Sequence, residues 1–381
     1  MRHPLAIAIL LVLPFSVIAG HPQAGTADEP IERVDVFVAG QNGYHTFRIP
    51  AIVRTLDGTL LAFCEGRKDN GADAGDIDLV LRRSTNEGRS WEPLQIVHEE
   101  GDTAKITIGN PAPVVDESTG TVWLTFCRDN DRVFVTHSDD GGRNWASPVE
   151  ITPTVKRPDW DWYATGPGNG IQLTVGPNAG RLVVPCDHRV GGDKTPWRAG
   201  GHAHVIYSDD HGATWQLGGV TSESMNECAV AELADGTLLL NMRSYRGNHC
   251  RAVARSSDTG LTWSAPEDDI ALIEPVCQAS LISLTDAAGA DTGASGQRVL
   301  LFSNPASKQR ERLTVRRSDD GGKTWSAGRV VYPGSAAYSC LVDMRDGTDM
   351  RDGTVGLLYE RDEYSRITFE RFALAGLTAN E

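Results

Sequence analysis

The sequence predicts an all-β fold, a six-bladed β-propeller with four antiparallel strands in each blade. Three observations predict it. An eight-residue phrase recurs five times: SDDGGRNW at 138–145, SDDHGATW at 208–215 and SDDGGKTW at 318–325, with looser copies STNEGRSW at 84–91 and SSDTGLTW at 256–263. A glycine turn between apolar runs recurs six times, at Gly58, Gly120, Gly180, Gly236, Gly296 and Gly353, with intervals of 62, 60, 56, 60 and 57 residues. The first five of these glycines each precede the opening Ser of a phrase by 18 to 28 residues. So regular a period is an internal repeat, and turn-rich repeats of this length are propeller blades.

Each unit reads strand, Gly turn, strand, loop, strand, phrase, strand. The turns LDGTLLAF, STGTVWLTF, NAGRLVVPC, ADGTLLLN, ASGQRVLLF and RDGTVGLLYE open units one to six. An Asp-Gly pair or its equivalent between apolar and β-branched residues is a hairpin signal. The sixth unit lacks the phrase. The stretch VDVFVAG, residues 34–40, is expected to supply its last strand and close the ring. Within the phrase, Ser and Asp side chains bond backbone groups of the turn, Gly takes a positive φ, and Trp anchors the turn against its own blade. Five copies of such a turn read as a structural staple, not as five ligand sites.

Composition narrows the function. The 381 residues are 40% hydrophobic and 23% charged, with 40 glycines and a formal net charge of −15. An acidic chain without a basic face argues against nucleic acid and against an anionic membrane surface. Residues 1–20 read as a signal peptide, with Arg2 and His3 before the apolar run Leu5 to Ala19, so the expected location is secreted or periplasmic. Residues 21–33 read as a linker, and 34–381 as the propeller. The seven cysteines are spread without CxxC spacing and several sit in apolar runs, so they read as buried, inert thiols. No metal-ligand spacing is visible, and neither metal nor cofactor is expected. A monomer is expected.

The strand directions place the Gly turns and the phrases at one end of the blades, the bottom. Residues before the first strand of a unit or after its second then gather at the top, near the axis. Arg48 lies ten residues before Gly58, and Asp73 fifteen after it. Glu227 lies nine before Gly236, and Arg243 seven after it. Arg310 lies fourteen after Gly296, Tyr338 lies nine before Gly347, and Glu360 seven after Gly353. Singly, each arginine reads as a solvated charge. Together, three convergent guanidiniums match one carboxylate or phosphate, in the central pocket where a propeller binds its ligand.

FRIP followed in order by MNE, MRSY, SNP…R, AAYS and LYE, with five phrases of the SxDxGxTW type, resembles the sialidase (neuraminidase) family, glycoside hydrolase family 33. The resemblance runs from about residue 36 to the C-terminus and is nearest to compact secreted bacterial members. It implies an exo-α-sialidase that releases terminal α-linked sialic acid from glycoproteins, glycolipids and oligosaccharides with retention. It implies that Arg48, Arg243 and Arg310 bind the sugar carboxylate, with Arg312 competing for the third place. Tyr338 matches the nucleophile, Glu227 its activating base, and Asp73 the acid/base, with Asp69, Asp76 and Asp78 on the same loop. Glu360 matches the acid that orients the first arginine, and Arg67 a sugar-contacting arginine. A neutral Tyr suits this substrate, because a carboxylate nucleophile would be repelled by the sugar's own carboxylate; sialidases are an exception to the carboxylate pair of most glycosidases.

The chain departs from the family in carrying DMRDGT twice, at 343–348 and 349–354. The extra residues are expected in the bottom turn of the sixth unit, away from the pocket. Trp160, Trp162 and Tyr163 are expected at the top rim, either as rim packing or as a wall for the sugar's acyl group. The alternatives are a trans-sialidase, a hydrolase of a related 2-keto-sugar acid, and a non-catalytic glycan-binding propeller. The last would be free to lose Tyr338, Glu227 and Asp73.

Overall fold

The computed structural model describes residues 33–286, 297–344 and 353–374, together with Met1 and Leu377. The signal and linker expected before Arg33, and most of the tandem DMRDGT, lie outside these residues. The described chain is all-β, with two helices of four residues each, α1 (Thr152–Val155) and α2 (Trp197–Gly200). Among the described residues no helix is long and apolar enough to cross a membrane.

The strands follow the repeat. After β1 (Arg33–Val38), the first sheet holds β2 (Thr46–Arg54), β3 (Leu60–Arg67), β4 (Ile77–Ser84) and β5 (Gln95–His98). The second holds β6 (Ile108–Val115), β7 (Val122–Arg128), β8 (Arg132–Ser138) and β9 (Val149–Glu150). The third runs through β10 (Trp160–Thr165), with the short β11 (Ile171–Gln172) beside β12 (Leu182–Val190), and on to β13 (Gly201–Ser208) and β14 (Gln216–Val220). The fourth holds β15 (Met225–Glu232), β16 (Leu238–Ser244), β17 (Cys250–Ser256) and β18 (Glu267–Ile273). Among the described residues every pairing between these strands is antiparallel, with one isolated parallel bridge, Ile77 to Thr107. β3 is buried at every position, on both faces, because blades pack face to face.

The remaining strands form one sheet where two separate ones were expected. β19 (Ser280–Asp286), β20 (Gln297–Pro305), β21 (Glu311–Ser318), β22 (Arg329–Asp343), β23 (Thr354–Arg361) and β24 (Arg366–Ala373) join β1 in one seven-stranded sheet. The cause is the 15-residue β22. Its first half pairs with β21, Arg329 opposite Val315, and its second half pairs with β23, Asp343 opposite Val355. The chain crosses from one unit to the next without leaving the extended conformation, so hydrogen bonding never breaks. β1 pairs with β24, Val34 opposite Phe369, and this closes the ring as expected.

The repeated phrase forms the same turn each time. In the copy at 138–145 the Ser138 hydroxyl accepts the Gly142 N–H at 2.9 Å, while Asp140 Oδ1 accepts the Arg143 and Asn144 N–H groups at 3.0 and 2.9 Å. These charge-assisted bonds hold the Asp140 carboxyl down at about 2. Gly142 has φ 78, and a Cβ there would meet Leu61 of the preceding sheet at 2.9 Å. The expectation that each Trp anchors its own blade holds for Trp325, which packs against Phe302 of its own unit, and is corrected for two others. Trp145 packs edge-on against Phe63, and Trp91 against Phe369, each in the preceding unit. The turn lies on the seam between units, so the large ring fills the gap to its neighbour.

Candidate active site

The first strands of the units meet around the axis: β2 touches β6 and β22, and β19 touches β15 and β22. Four of them break register toward their upper ends: between Arg48 and Ala51 in β2, Gly109 and Ala112 in β6, Met225 and Cys228 in β15, and Ala336 and Ser339 in β22. A bulge kinks its strand and re-aims side chains. In three of the four, the bulge carries a sequence-predicted site residue: Arg48, Glu227 and Tyr338. In β2 the kink places Ile49 at φ 63, which for a β-branched residue costs about 1–3 kcal/mol. The fourth bulge has Gly109 in the place of Arg48. A Cβ there would meet Glu65 Oε1 at 2.3 Å, and the same oxygen accepts the Asn110 N–H at 3.0 Å.

The bulges bring Tyr338 and Glu227 together. The Tyr338 hydroxyl donates to Glu227 Oε1 at 2.5 Å, and Arg243 Nη1 donates to Glu227 Oε2 at 2.7 Å and to the Tyr338 oxygen at 3.2 Å. Tyr338 is buried, and burial together with the Glu227 charge pushes its pKa well above the ordinary phenol value, against the opposing pull of Arg243. A free tyrosinate is therefore disfavoured, and Glu227 is the carboxylate within reach of its proton.

The other guanidiniums converge on the same ring. The Arg48 Cζ lies 5.3 Å and the Arg310 Cζ 5.6 Å from the Tyr338 ring centroid. Glu360, fully buried on β23, accepts Arg48 Nε at 2.7 Å and the Ile49 N–H at 2.9 Å through one oxygen, and the Tyr338 N–H at 3.1 Å through the other. It thus fixes Arg48 and the Tyr338 backbone at once. Burial works against the charge on Arg48, but the Glu360 carboxylate together with Tyr338 and Tyr364 offsets it and the pKa rises. Arg310, half-buried, points inward; Arg312 is exposed and sits at φ 59. Of the two, Arg310 is the one whose guanidinium lies over the Tyr338 ring.

Asp73 stands at the mouth, its side chain 88% exposed, 3.8 Å from Arg48 Nη1 and 2.8 Å from Arg67 Nη1. Arg67 is itself buried; its Nε and Nη2 donate to Glu65 Oε2 at 3.0 and 2.7 Å, and Nη1 also donates to the Gly71 carbonyl at 2.7 Å. Arg67 is therefore bound up in holding the Asp73 loop. Asp78 is buried against Tyr44 at 2.6 Å and Asp76 pairs with Lys68 at 3.0 Å, while Asp69 is exposed. The two rim readings divide by residue. Trp160 and Tyr163 are buried in the core, Trp160 stacked on His188. Trp162 is half-buried and meets Trp197 edge-on at 4.8 Å; Trp197 stacks at 6.0 Å on Tyr245, whose hydroxyl accepts Arg243 Nη2 at 2.8 Å.

Several site residues carried no signal in the sequence. Glu65 and Tyr245 hold arginines, and Tyr364 meets two of them. Asp187 on β12 is fully buried, takes the Asn226 amide on Oδ2, and has no partner for Oδ1 among the described residues. Burial, and then the Glu227 charge, push its pKa well above the carboxylate range, with Arg243 opposing. All seven cysteines are buried and unpaired, as expected. Among the described residues no cluster of His, Cys, Asp or Glu has the arrangement of a metal site.

Residues 58–351 match the BNR repeat-like domain. The chain is 36% identical to a sialidase of Micromonospora viridifaciens over 96% of its own length and 57% of that protein's. It is 33% identical to a sialidase of Bacteroides fragilis over 90% of its own length and 64% of that one's. The chain thus spans less than two thirds of either relative. Among solved structures it resembles a Hadza microbial sialidase with a TM-score of 0.78 and 32% identity, covering 91% of this chain and 69% of that one.

Proposed function

The chain belongs to the sialidase family, and from that premise we propose that it is an exo-α-sialidase that hydrolyses terminal α-linked sialic acids of glycoproteins, glycolipids and oligosaccharides with retention. The observation that carries the reading is the Tyr338–Glu227 hydrogen bond of 2.5 Å beneath three guanidiniums. Arg48, Arg243 and Arg310 take the sugar carboxylate, as planar forks suited to it. The Tyr338 oxygen attacks the anomeric carbon while its proton passes to Glu227, and Asp73 protonates the departing glycosidic oxygen. The product of this step is a tyrosyl glycoside. Asp73 then takes a proton from water, the water oxygen displaces Tyr338 from the anomeric carbon, and Glu227 returns the phenol proton. Two inversions give net retention. Glu360 and Arg67 act behind the contact groups, on Arg48 and on Asp73.

The repeat supports six blades, with β22 serving as the outer strand of the fifth and the inner strand of the sixth. Such a strand joins two blades into one hydrogen-bonded sheet without removing either. The apolar run Leu5 to Ala19 supports export to the periplasm or medium.

The test is release of 4-methylumbelliferone from its sialic acid glycoside by the wild type and by Tyr338→Phe. Turnover by the wild type, with a loss of about 10³-fold in kcat in the variant, is the expected result. Turnover by both removes Tyr338 as the nucleophile, and no turnover by folded wild type returns the chain to a glycan-binding propeller or to another keto-sugar acid.

A further inference from the structure

The turn between β23 and β24 holds an unbroken run of left-handed residues. Asp362, Glu363 and Tyr364 follow one another at φ 52, 55 and 67, and none is Gly or Asn. Three successive left-handed residues are costly for L-amino acids, and persist where surrounding structure over-determines them. Here it does. The Asp362 N–H donates to the Ser335 carbonyl at 2.9 Å, the Glu363 N–H to the Ser335 hydroxyl at 3.3 Å, and the Tyr332 hydroxyl to Asp362 Oδ1. On the other side the Ala39 N–H donates to the Ser365 carbonyl at 2.9 Å.

The result of this strain is the position of Tyr364. Its ring lies under Arg48, with Cζ 4.1 Å from the centroid, and its hydroxyl accepts Arg310 Nη1 at 2.9 Å. It also packs against the small apolar floor of Ile49, Cys277, Ala337 and Tyr338. We propose that Tyr364 is a positioning residue for anion binding, which holds Arg48 and Arg310 in one orientation toward the substrate carboxylate. This rests on the carboxylate-binding role assigned to those arginines above. Face stacking occupies the π surface of Arg48 and leaves its in-plane N–H groups for an acceptor. The bond to Arg310 fixes which edge of that guanidinium faces the pocket. Two like charges converge here, and a neutral aromatic wedge that bonds one and stacks on the other spaces them without adding a competing carboxylate.

The proposal concerns binding, so its signature is a split between KM and kcat. Tyr364→Phe keeps the ring and removes the bond to Arg310; KM for the methylumbelliferyl sialoside should rise about tenfold, with kcat within about twofold and the thermal midpoint unchanged. Glu363→Gly, an exposed site where glycine suits the backbone, should leave KM unchanged and the midpoint equal or higher. The same variants are titrated calorimetrically with 2-deoxy-2,3-didehydro-sialic acid, a carboxylate that is not turned over. Turnover with KM and affinity both unchanged in Tyr364→Phe, or a fall in midpoint as its only effect, overturns the proposal and spares the sialidase reading. A wild type that binds the carboxylate in a Tyr364-dependent way without turnover upholds the proposal and overturns that reading. A wild type that neither binds nor turns over overturns both.

Discussion

The phrase turns at the bottom of the propeller and the axial cluster at its top are built from the same repeat in opposite ways. The turns are copies. In Ser208–Gly212, Ser256–Gly260 and Ser318–Gly322, as in Ser138–Gly142, the serine hydroxyl accepts the glycine N–H at 2.8 to 2.9 Å, within five residues of chain. The axial cluster has no copies. Its bonds join residues 111 apart in Tyr338–Glu227 and 312 apart in Arg48–Glu360. The bulge that presents Arg48 in β2 presents Gly109 in β6, Glu227 in β15 and Tyr338 in β22. Where the repeat is kept, it staples one unit to the next; where it diverges, one backbone device presents a different side chain from each unit, and together these have the means of a reaction.

This contrast can be broken from either side. The largest effect is expected at the top: Glu227→Gln should lower kcat by about 10³-fold with the thermal midpoint unchanged, since it removes the acceptor for the Tyr338 proton. A variant that unfolds early and keeps its kcat would make Glu227 structural. Next, Arg310→Ala should raise KM about 30-fold by removing one charge-assisted contact, whereas Arg312→Ala should leave it unchanged. The reverse result would exchange their places.

At the bottom the signs change over. Asp140→Ala removes the acceptor of two backbone N–H groups and should cost about 1–2 kcal/mol of stability in denaturant titrations, with KM and kcat unaltered. A lost KM with an intact midpoint would make the turn a ligand site. The smallest change in activity is expected from Asp187→Asn. Asp187 holds its proton more tightly in the fold than in the unfolded chain. Its contribution to stability is therefore complete below the ordinary carboxylate pKa of about 4, and is lost as pH rises through the raised value of the folded state. Asn carries no such penalty, so the variant's stability relative to wild type should grow from pH 4 toward pH 8. A difference that does not change with pH would mean that Asp187 is not held neutral.

The same contrast explains what could be read from the sequence. Local turns declare themselves, so the repeat, its period and ring closure by residues 34–40 are all legible in the sequence. The site residues that sit at fixed offsets from the Gly turns were expected too, because the offset sets which end of a strand a residue occupies. Tyr364 was missed because its place depends on a left-handed turn that lacks the glycine or asparagine by which such turns are recognised. Glu65 and Asp187 were missed because a carboxylate inside an apolar strand looks alike whether it pairs with an arginine or keeps its proton. Trp91 and Trp145 pack against the preceding unit instead of their own, since spacing along the chain shows where a turn lies but not which sheet it packs against. The fusion of the last two units was missed because the crossover in β22 is as extended as the strands that it joins.

The central claim is that Tyr338 is the group that bonds to the sugar. Its most direct test is trapping with 2,3-difluoro-sialic acid, in which fluorine slows hydrolysis of the intermediate, followed by proteolysis and mass spectrometry of the peptides. One sugar residue on the peptide that contains Tyr338, absent from Tyr338→Phe, is the predicted result. An enzyme that turns over its substrate while the sugar appears on another residue would contradict the account.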